Sequence, residues 1–303
     1  MIHDLDSPRK RTILRVQTKA LNAMTNELLS KGFEWILPVT LAKSTDPLWP
    51  DPGASIEKRV EFDIYDEKVR TMQSMIIHKL VLASLGPEKF FIISPNIRIE
   101  TRKRSTTGSH LYEFTQLETE ISGGKMLDVF RVYEDMIKAA VKAVRDDTSE
   151  LRKAALDVPV TPFEVKSRKD LEDEYGDGWE KIASEKATAP FWLTDIPREF
   201  YDYQDESSGV WRNYDLFLPE GYGEVISGAE REYEYRKIVS KLERDNVKKD
   251  DYAFLLELAR NGRLKPSAGA GLGLERFVAY LCGAKHVAEV QPFPRIPGIV
   301  PPL

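Results

Sequence analysis

The sequence predicts an α+β domain built on an antiparallel β-sheet flanked by helices. Three observations lead there. An amphipathic stripe opens the chain, strand-like stretches at hairpin spacing fill its middle, and helical periods return before a closing glycine-rich segment.

Taken in order, residues 11–30 carry Ile13, Leu14, Leu21, Met24, Leu28 and Leu29 at spacings that suit one face of a helix. Lys31 and Gly32 end it, because glycine can take the left-handed cap. Residues 33–41 read as a strand, and Pro38, which has no N–H to donate, puts that strand at a sheet edge. Residues 44–58 are rich in Pro, Asp and Gly and form a loop long enough to cover a site. A helix is expected over 75–85, then strands over 90–100 and 111–122. These form an antiparallel hairpin whose basic tip reads TRKRSTTGSH. Residues 128–145 are helical, and 160–190 form a polar mixed insertion. Strands at 190–196, 210–218 and 223–227 resume the sheet, and helices begin at Arg231 and Asp250. With no repeat and no linker, residues 1–303 read as a single domain.

Composition narrows the function classes. The 303 residues are 42% apolar, which suffices for a substantial core. Charged residues make up 31% with a net charge of -5, so no basic face advertises a polyanion partner. No apolar run approaches the roughly 18 to 20 residues that cross a bilayer, and the polar start MIHDLDSPRKR is no signal sequence, so a cytoplasmic protein without membrane contact is expected. The lone Cys282 and the scattered His3, His78, His110 and His286 offer no zinc spacing.

Three constellations carry chemistry. The run Gly269-Ala-Gly271-Leu-Gly273-Leu-Glu-Arg276 reads as a glycine-rich turn feeding a helix, and residues 264–268 before it do not read as a buried strand. Its backbone could approach a phosphate, with Arg276 in the first helical turn, although a plain loop-to-helix junction with a surface ion pair fits the same residues. On the hairpin, alternation puts Arg98 and Glu100 on one face, and Glu118 and Glu120 likewise share a face on the return strand, as a ligand-binding face or as ordinary cross-strand pairs. Asp215, Glu224 and Ser227 then gather the carboxylate and hydroxyl oxygens that Mg²⁺ takes, with Arg231 seven residues after Glu224, or form a charged strand edge.

Taken together and in this order, these motifs resemble the class II aminoacyl-tRNA synthetases of the aspartate and asparagine branch. The resemblance runs from about residue 11 to Gln291-Pro-Phe-Pro-Arg295. It implies the class II catalytic fold, with ATP and Mg²⁺ as cofactors and a homodimer through the first helix and the Pro38 strand. It implies that Arg98 holds the α-phosphate and acyl oxygen as a catalytic residue, that Glu100 reads adenine, and that Phe114 stacks on it. Arg276, also catalytic, would clamp the γ-phosphate, His110 would touch phosphate, and Gly271 and Gly273 would line the nucleotide. Glu224 and Ser227 match the metal ligands, with Asp215 a third candidate. The stretch from Asp215 to Glu224 is about two residues longer than in the family.

For the amino-acid pocket the resemblance implies Lys79 and Arg231 as paired cations calling for a carboxylate, Glu118 near the substrate ammonium, and Ser74, Gly228 and Asp46 nearby. Lys79 falls where aspartate enzymes keep a lysine. Ser74-Met-Ile replaces the family's Ser-Pro-Gln. The first catalytic helix begins near residue 11, so no N-terminal oligonucleotide-binding barrel is expected, and tRNA is an unlikely acceptor. The stretches 45–51, 94–98 and 264–271 resemble the archaeal asparagine synthetases derived from such synthetases. The implied substrates are L-aspartate, ATP and ammonia. A truncated ligase acylating tRNA or a protein, and a catalytically inactive amino-acid-binding paralogue, remain as alternatives.

Overall fold

A computed structural model describes residues 5–48, 56–152 and 155–302. Helix α1 (Pro8–Ser30) starts three residues ahead of the expected residue 11, because Ser7 caps it by accepting from the Lys10 amide at 3.1 Å and Pro8 suits the first turn. Strand β1 (Glu34–Ile36) follows. Four short strands come next, β2 (Leu41–Ala42), β3 (Ile56–Lys58), β4 (Glu61–Ile64) and β5 (Glu67–Thr71), and β2, β5 and β4 make a small sheet of their own. The loop expected at 44–58 thus ends in a strand, and its residues 49–55 lie outside the described residues.

Helix α2 (Ile76–Leu85) leads to β6 (Lys89–Ile97), β7 (Ile99–Glu100) and β8 (Glu113–Ser122), with a 3₁₀ turn over Arg102–Thr106 at the expected basic tip. Then come α3 (Met126–Thr148), β9 (Glu164–Ser167), α4 (Arg168–Tyr175), α5 (Trp179–Lys186), β10 (Phe191–Thr194), β11 (Asn213–Leu218) and β12 (Gly223–Glu230). The chain closes with α6 (Tyr235–Arg244), α7 (Ala253–Arg260), β13 (Ser267–Gly273) and α8 (Leu274–Cys282). Arg231 sits just past the end of β12 rather than opening a helix.

Eight strands form the main sheet in the order β1-β6-β8-β13-β12-β11-β10-β9. Its interior pairs are antiparallel, whereas β1 runs parallel to β6 and β9 parallel to β10. The β1 strand is an edge, as Pro38 predicts. The 160–190 stretch is no loose insertion: β9 supplies the opposite edge, and α4 and α5 bury Leu171 and Ala183 against Phe191, Leu193 and Phe217.

The glycine run also differs from expectation. It is the buried strand β13 at the centre of the sheet, and residues 267 and 268 already belong to it. Glycine is poor in strands unless something needs the missing side chain's space, so the run by itself reads as a turn. Here a Cβ on Gly269 would lie 2.1 Å from both the Thr119 carbonyl oxygen and Glu120 Oε2.

The two faces of the sheet divide the work with period 2. Leu117, Ile121, Ala268, Ala270, Leu272, Leu216 and Ile226 share one core with residues of α1, α3 and α8, including Met24, Met136, Ile137, Phe277 and Leu281. The residues that alternate with them are Glu118, Glu120, Gly269, Gly271, Ser227 and Asp215. They face the other way, toward the side where α2, α6 and α7 build a second core with Phe200 and Tyr252.

Candidate active site

One row of this second face crosses four strands. Glu118 on β8 pairs with Gly271 on β13, Gly271 with Ser227 on β12, and Ser227 with Asp215 on β11. Polar side chains therefore stand on both sides of a bare glycine, which forms the floor of two cavities that meet at Arg98, Gln116, Glu224 and Gly271.

The larger cavity, about 700 Å³, suits a nucleotide in size. It gathers Arg98, Glu100, His110, Phe114, Glu224, Gly271, Gly273 and Arg276. Arg98 donates from Nε to the Gln73 carbonyl at 2.9 Å, which aims its guanidinium, and its Cζ lies 5.2 Å from the Phe114 ring centre. Arg276, in the first turn of α8, donates to the Ser109 carbonyl at 3.1 Å and the Glu224 carbonyl at 2.9 Å. Two arginines of the cavity are thus fixed by backbone oxygens, with N–H groups left to face an anion. Arg104, from the basic hairpin tip, joins them, 3.5 Å from Glu100 and 2.7 Å from His110 Nε2. Burial, with Arg276, Arg104 and Arg98 nearby, pushes His110 down to about 3. A neutral imidazole of this kind can meet a phosphate as a hydrogen-bonding group.

The smaller cavity, about 300 Å³, has the size for an amino acid, and Asp46, Ser74, Lys79, Glu118, Gly228 and Arg231 all line it. Lys79 Nζ lies 3.0 Å from Glu118 Oε2 and 3.7 Å from Glu120 Oε2, with all three side chains at most 2% exposed. Arg231 bonds both oxygens of Glu120, at 3.1 and 3.2 Å, and lies 3.5 Å from Asp202. This corrects the expectation of two cations awaiting a carboxylate, since both come already paired. Among its described lining residues the cavity holds Arg98, Lys79, Arg198 and Arg231 against Asp46, Glu118, Glu199, Asp202 and Glu224, a balance suited to a zwitterion. Beyond the Glu118 contact of Lys79 and the Glu120 and Gly269 bonds of Arg231, N–H groups of Lys79 and on Arg231 Nη1 remain for a ligand.

Burial would raise the Glu118 carboxyl, but Lys79, the Ser94 hydroxyl at 2.7 Å and the Met75 amide at 3.3 Å hold it below its ordinary range. Burial pushes Glu199 well above that range, helped by Asp46 and Asp202, and burial also raises Asp202 against the pull of Arg231 and Arg198. Gly228 lines the cavity with its backbone, while its missing side chain would collide with Ala270 and Tyr214 on the core side.

The metal set is only partly assembled. Glu224 opens onto both cavities, 3.7 Å from Arg276. Asp215 and Ser227 instead turn to Arg198, which donates from Nη2 to the Asp215 carboxylate and from Nη1 to the Ser227 hydroxyl. Burial raises Asp215 to about 7 despite Arg198 beside it. Glu224 fits a hard cation shared with nucleotide phosphates, whereas Asp215 and Ser227 as arranged do not. Sequence reasoning missed Arg198, Glu199 and Asp202. They lie between two strands in a charged stretch whose pattern is that of any surface loop.

Residues 1–297 match the family described as tRNA synthetases class II (D, K and N). The chain belongs to this family. As a class II synthetase-like protein it is an ATP-dependent ligase that forms an aminoacyl-adenylate, and its catalytic fold is the class II fold. Among similar proteins, asparagine–tRNA ligases from Thermococcus kodakarensis and Pyrococcus abyssi are each 29% identical, over 97% and 98% of this chain and 71% of theirs. The asparaginyl-tRNA synthetase of Pyrococcus horikoshii complexed with asparaginyl-adenylate superposes with a TM-score of 0.86 at 26% identity, covering 98% of this synthetase-like chain and 71% of that one. The family uses ATP and Mg²⁺ in general. Among the described residues no helix is long and apolar enough to cross a membrane.

Proposed function

We propose that this class II protein activates L-aspartate with ATP as a β-aspartyl-adenylate, which ammonia converts to asparagine. The observation that carries the reading is the charge layout of the smaller cavity, where Lys79 and Arg231 keep donors at the far end and Arg98 stands at the neck toward the larger one. A ligand with a carboxylate at each end satisfies both. Held by Lys79 and Arg231 at its α-carboxylate and by Glu118 and Asp46 at its ammonium, aspartate directs its β-carboxylate to Arg98.

In the first step a β-carboxylate oxygen bonds to the α-phosphorus of ATP and pyrophosphate leaves. In the second, the ammonia nitrogen bonds to the acyl carbon, AMP leaves and one proton is released. Arg98 and Arg276 stabilise charge on the phosphates, and Phe114 and Glu100 receive the adenine. Mg²⁺, held by Glu224 together with the nucleotide, would neutralise phosphate charge. The exposed Trp35, Leu37 and Val39 on and beside β1 support a homodimer through this edge, which sedimentation at micromolar concentration tests.

A second reading, activation of asparagine for transfer to tRNA, is favoured by the names of the relatives. Purified protein incubated with ATP, Mg²⁺ and ammonium separates the two. Aspartate should yield asparagine, AMP and pyrophosphate, with no consumption of added tRNA. Asparagine-dependent pyrophosphate exchange exceeding that with aspartate overturns the proposal, and ADP as product overturns adenylate formation altogether.

A further inference from the structure

We infer that Arg198 is a built-in cation standing where a divalent ion would otherwise bridge Asp215 and Ser227. The inference rests on the reading that nucleotide binds here with a divalent cation. Asp215 and Ser227 are register partners on β11 and β12 and face the cavity side of the sheet. The Arg198 guanidinium reaches both at once, with one N–H on the carboxylate and one on the hydroxyl. Its own backbone is held from behind, since the Arg244 guanidinium donates to the Arg198 carbonyl at 3.1 Å.

A guanidinium does not lose its proton in a protein, so this positive charge cannot be discharged to admit a metal. A second cation on the same carboxylate meets like-charge repulsion in a buried site. The other carboxylate oxygen, Asp215 Oδ1, is buried with no hydrogen-bond partner among the described residues, so a ligand-quality oxygen is present and goes unused. Glu224, outside the Arg198 contacts, is left as the protein carboxylate available to the nucleotide's metal ion. Arg198 also lines the smaller cavity, so the charge it brings is shared with the substrate end of the site.

Manganese binding measured by electron paramagnetic resonance on the full chain, with α,β-methylene-ATP present at pH 8, tests this. Wild type should take up only nucleotide-bound Mn²⁺. Arg198→Ala should gain one additional Mn²⁺ per chain, and Arg198→Ala combined with Asp215→Asn should return to the wild-type count. Should Arg198→Ala not fold, Arg198→Gln serves: it keeps most of the side chain's length and hydrogen-bonding ends without the charge, and it too should gain one additional Mn²⁺ per chain. Equal counts and affinities in wild type and variants overturn the role of Arg198. Failure of wild type to bind any manganese with nucleotide overturns the nucleotide reading, and this inference with it.

Discussion

Replacing Lys79 by Met tests the core of the substrate assignment, because its two consequences can be measured apart. The ammonium is buried between Glu118 at 3.0 Å and Glu120 at 3.7 Å. Removing one partner of a buried pair typically costs about 3–5 kcal/mol. Here the low end applies, because Glu118 keeps the Ser94 hydroxyl and the Met75 amide while Glu120 keeps Arg231 and the Ser267 hydroxyl. A loss of about 3 kcal/mol is roughly a hundredfold in the folded-to-unfolded ratio, large against a total of about 5–15 kcal/mol but survivable. Denaturant unfolding measures it. Aspartate-dependent exchange of pyrophosphate into ATP reads the other consequence: losing one charge-assisted hydrogen bond, about 1.5–3 kcal/mol, should lower kcat/KM for aspartate by about ten- to a hundredfold. Lys79→Met with Glu118→Gln should recover stability, since the one carboxylate then left beside the missing ammonium, Glu120, keeps Arg231 and the Ser267 hydroxyl, without recovering exchange. Normal exchange in Lys79→Met would refute the substrate contact, and unchanged stability would refute the energetics of the pair.

Arg276→Ala should lower adenylate formation by about two orders of magnitude, since a charge placed on developing phosphate charge is worth a few kcal/mol, while thermal unfolding stays near wild type. Steady-state rates with saturating aspartate check it. Gly269→Ala and Gly271→Ala should part company: the first drives a methyl 2.1 Å from a backbone oxygen and should abolish soluble folded protein, whereas the second meets the Gln116 side chain at 3.1 Å and should fold but bind nucleotide more weakly by calorimetry. The Glu118 carboxyl is held below its ordinary value of 4.5 in the fold, so its stabilisation is full above that value and fades as pH falls through the lower folded value. The stability gap between wild type and Glu118→Gln should therefore be wide at pH 7 and shrink below about pH 4 by denaturant titration.

Much of this architecture was legible in the sequence. Helical spacing from Ile13 to Leu28 and the alternation through the hairpin are written locally, and Pro38 announces an edge because a missing N–H has the same meaning in any context. The glycine run was misread because its cause is remote. Gly269 answers to Thr119 and Glu120, about 150 residues earlier in the chain, and nothing within the run itself reveals that crowding. The residues of the larger cavity were gathered by resemblance and do converge in space, whereas the pairing of Lys79 and Arg231 with buried carboxylates was invisible. Charge neutralisation is a property of neighbours, and Glu120 and Asp202 become neighbours of Arg231 only once the sheet is assembled.

Strand β13 is a partition one residue thick. On one side its alanines Ala268 and Ala270 fill the helical core, and on the other Gly269 and Gly271 leave the ligand floor bare. The wall has no slack in either direction: an added carbon on the glycine side intrudes on carboxylates or ligand, and a larger group on the alanine side must displace the packed layer behind it. Variation in substrate choice has to come from the rim, from segments such as the one bearing Arg198, while the wall itself stays as it is.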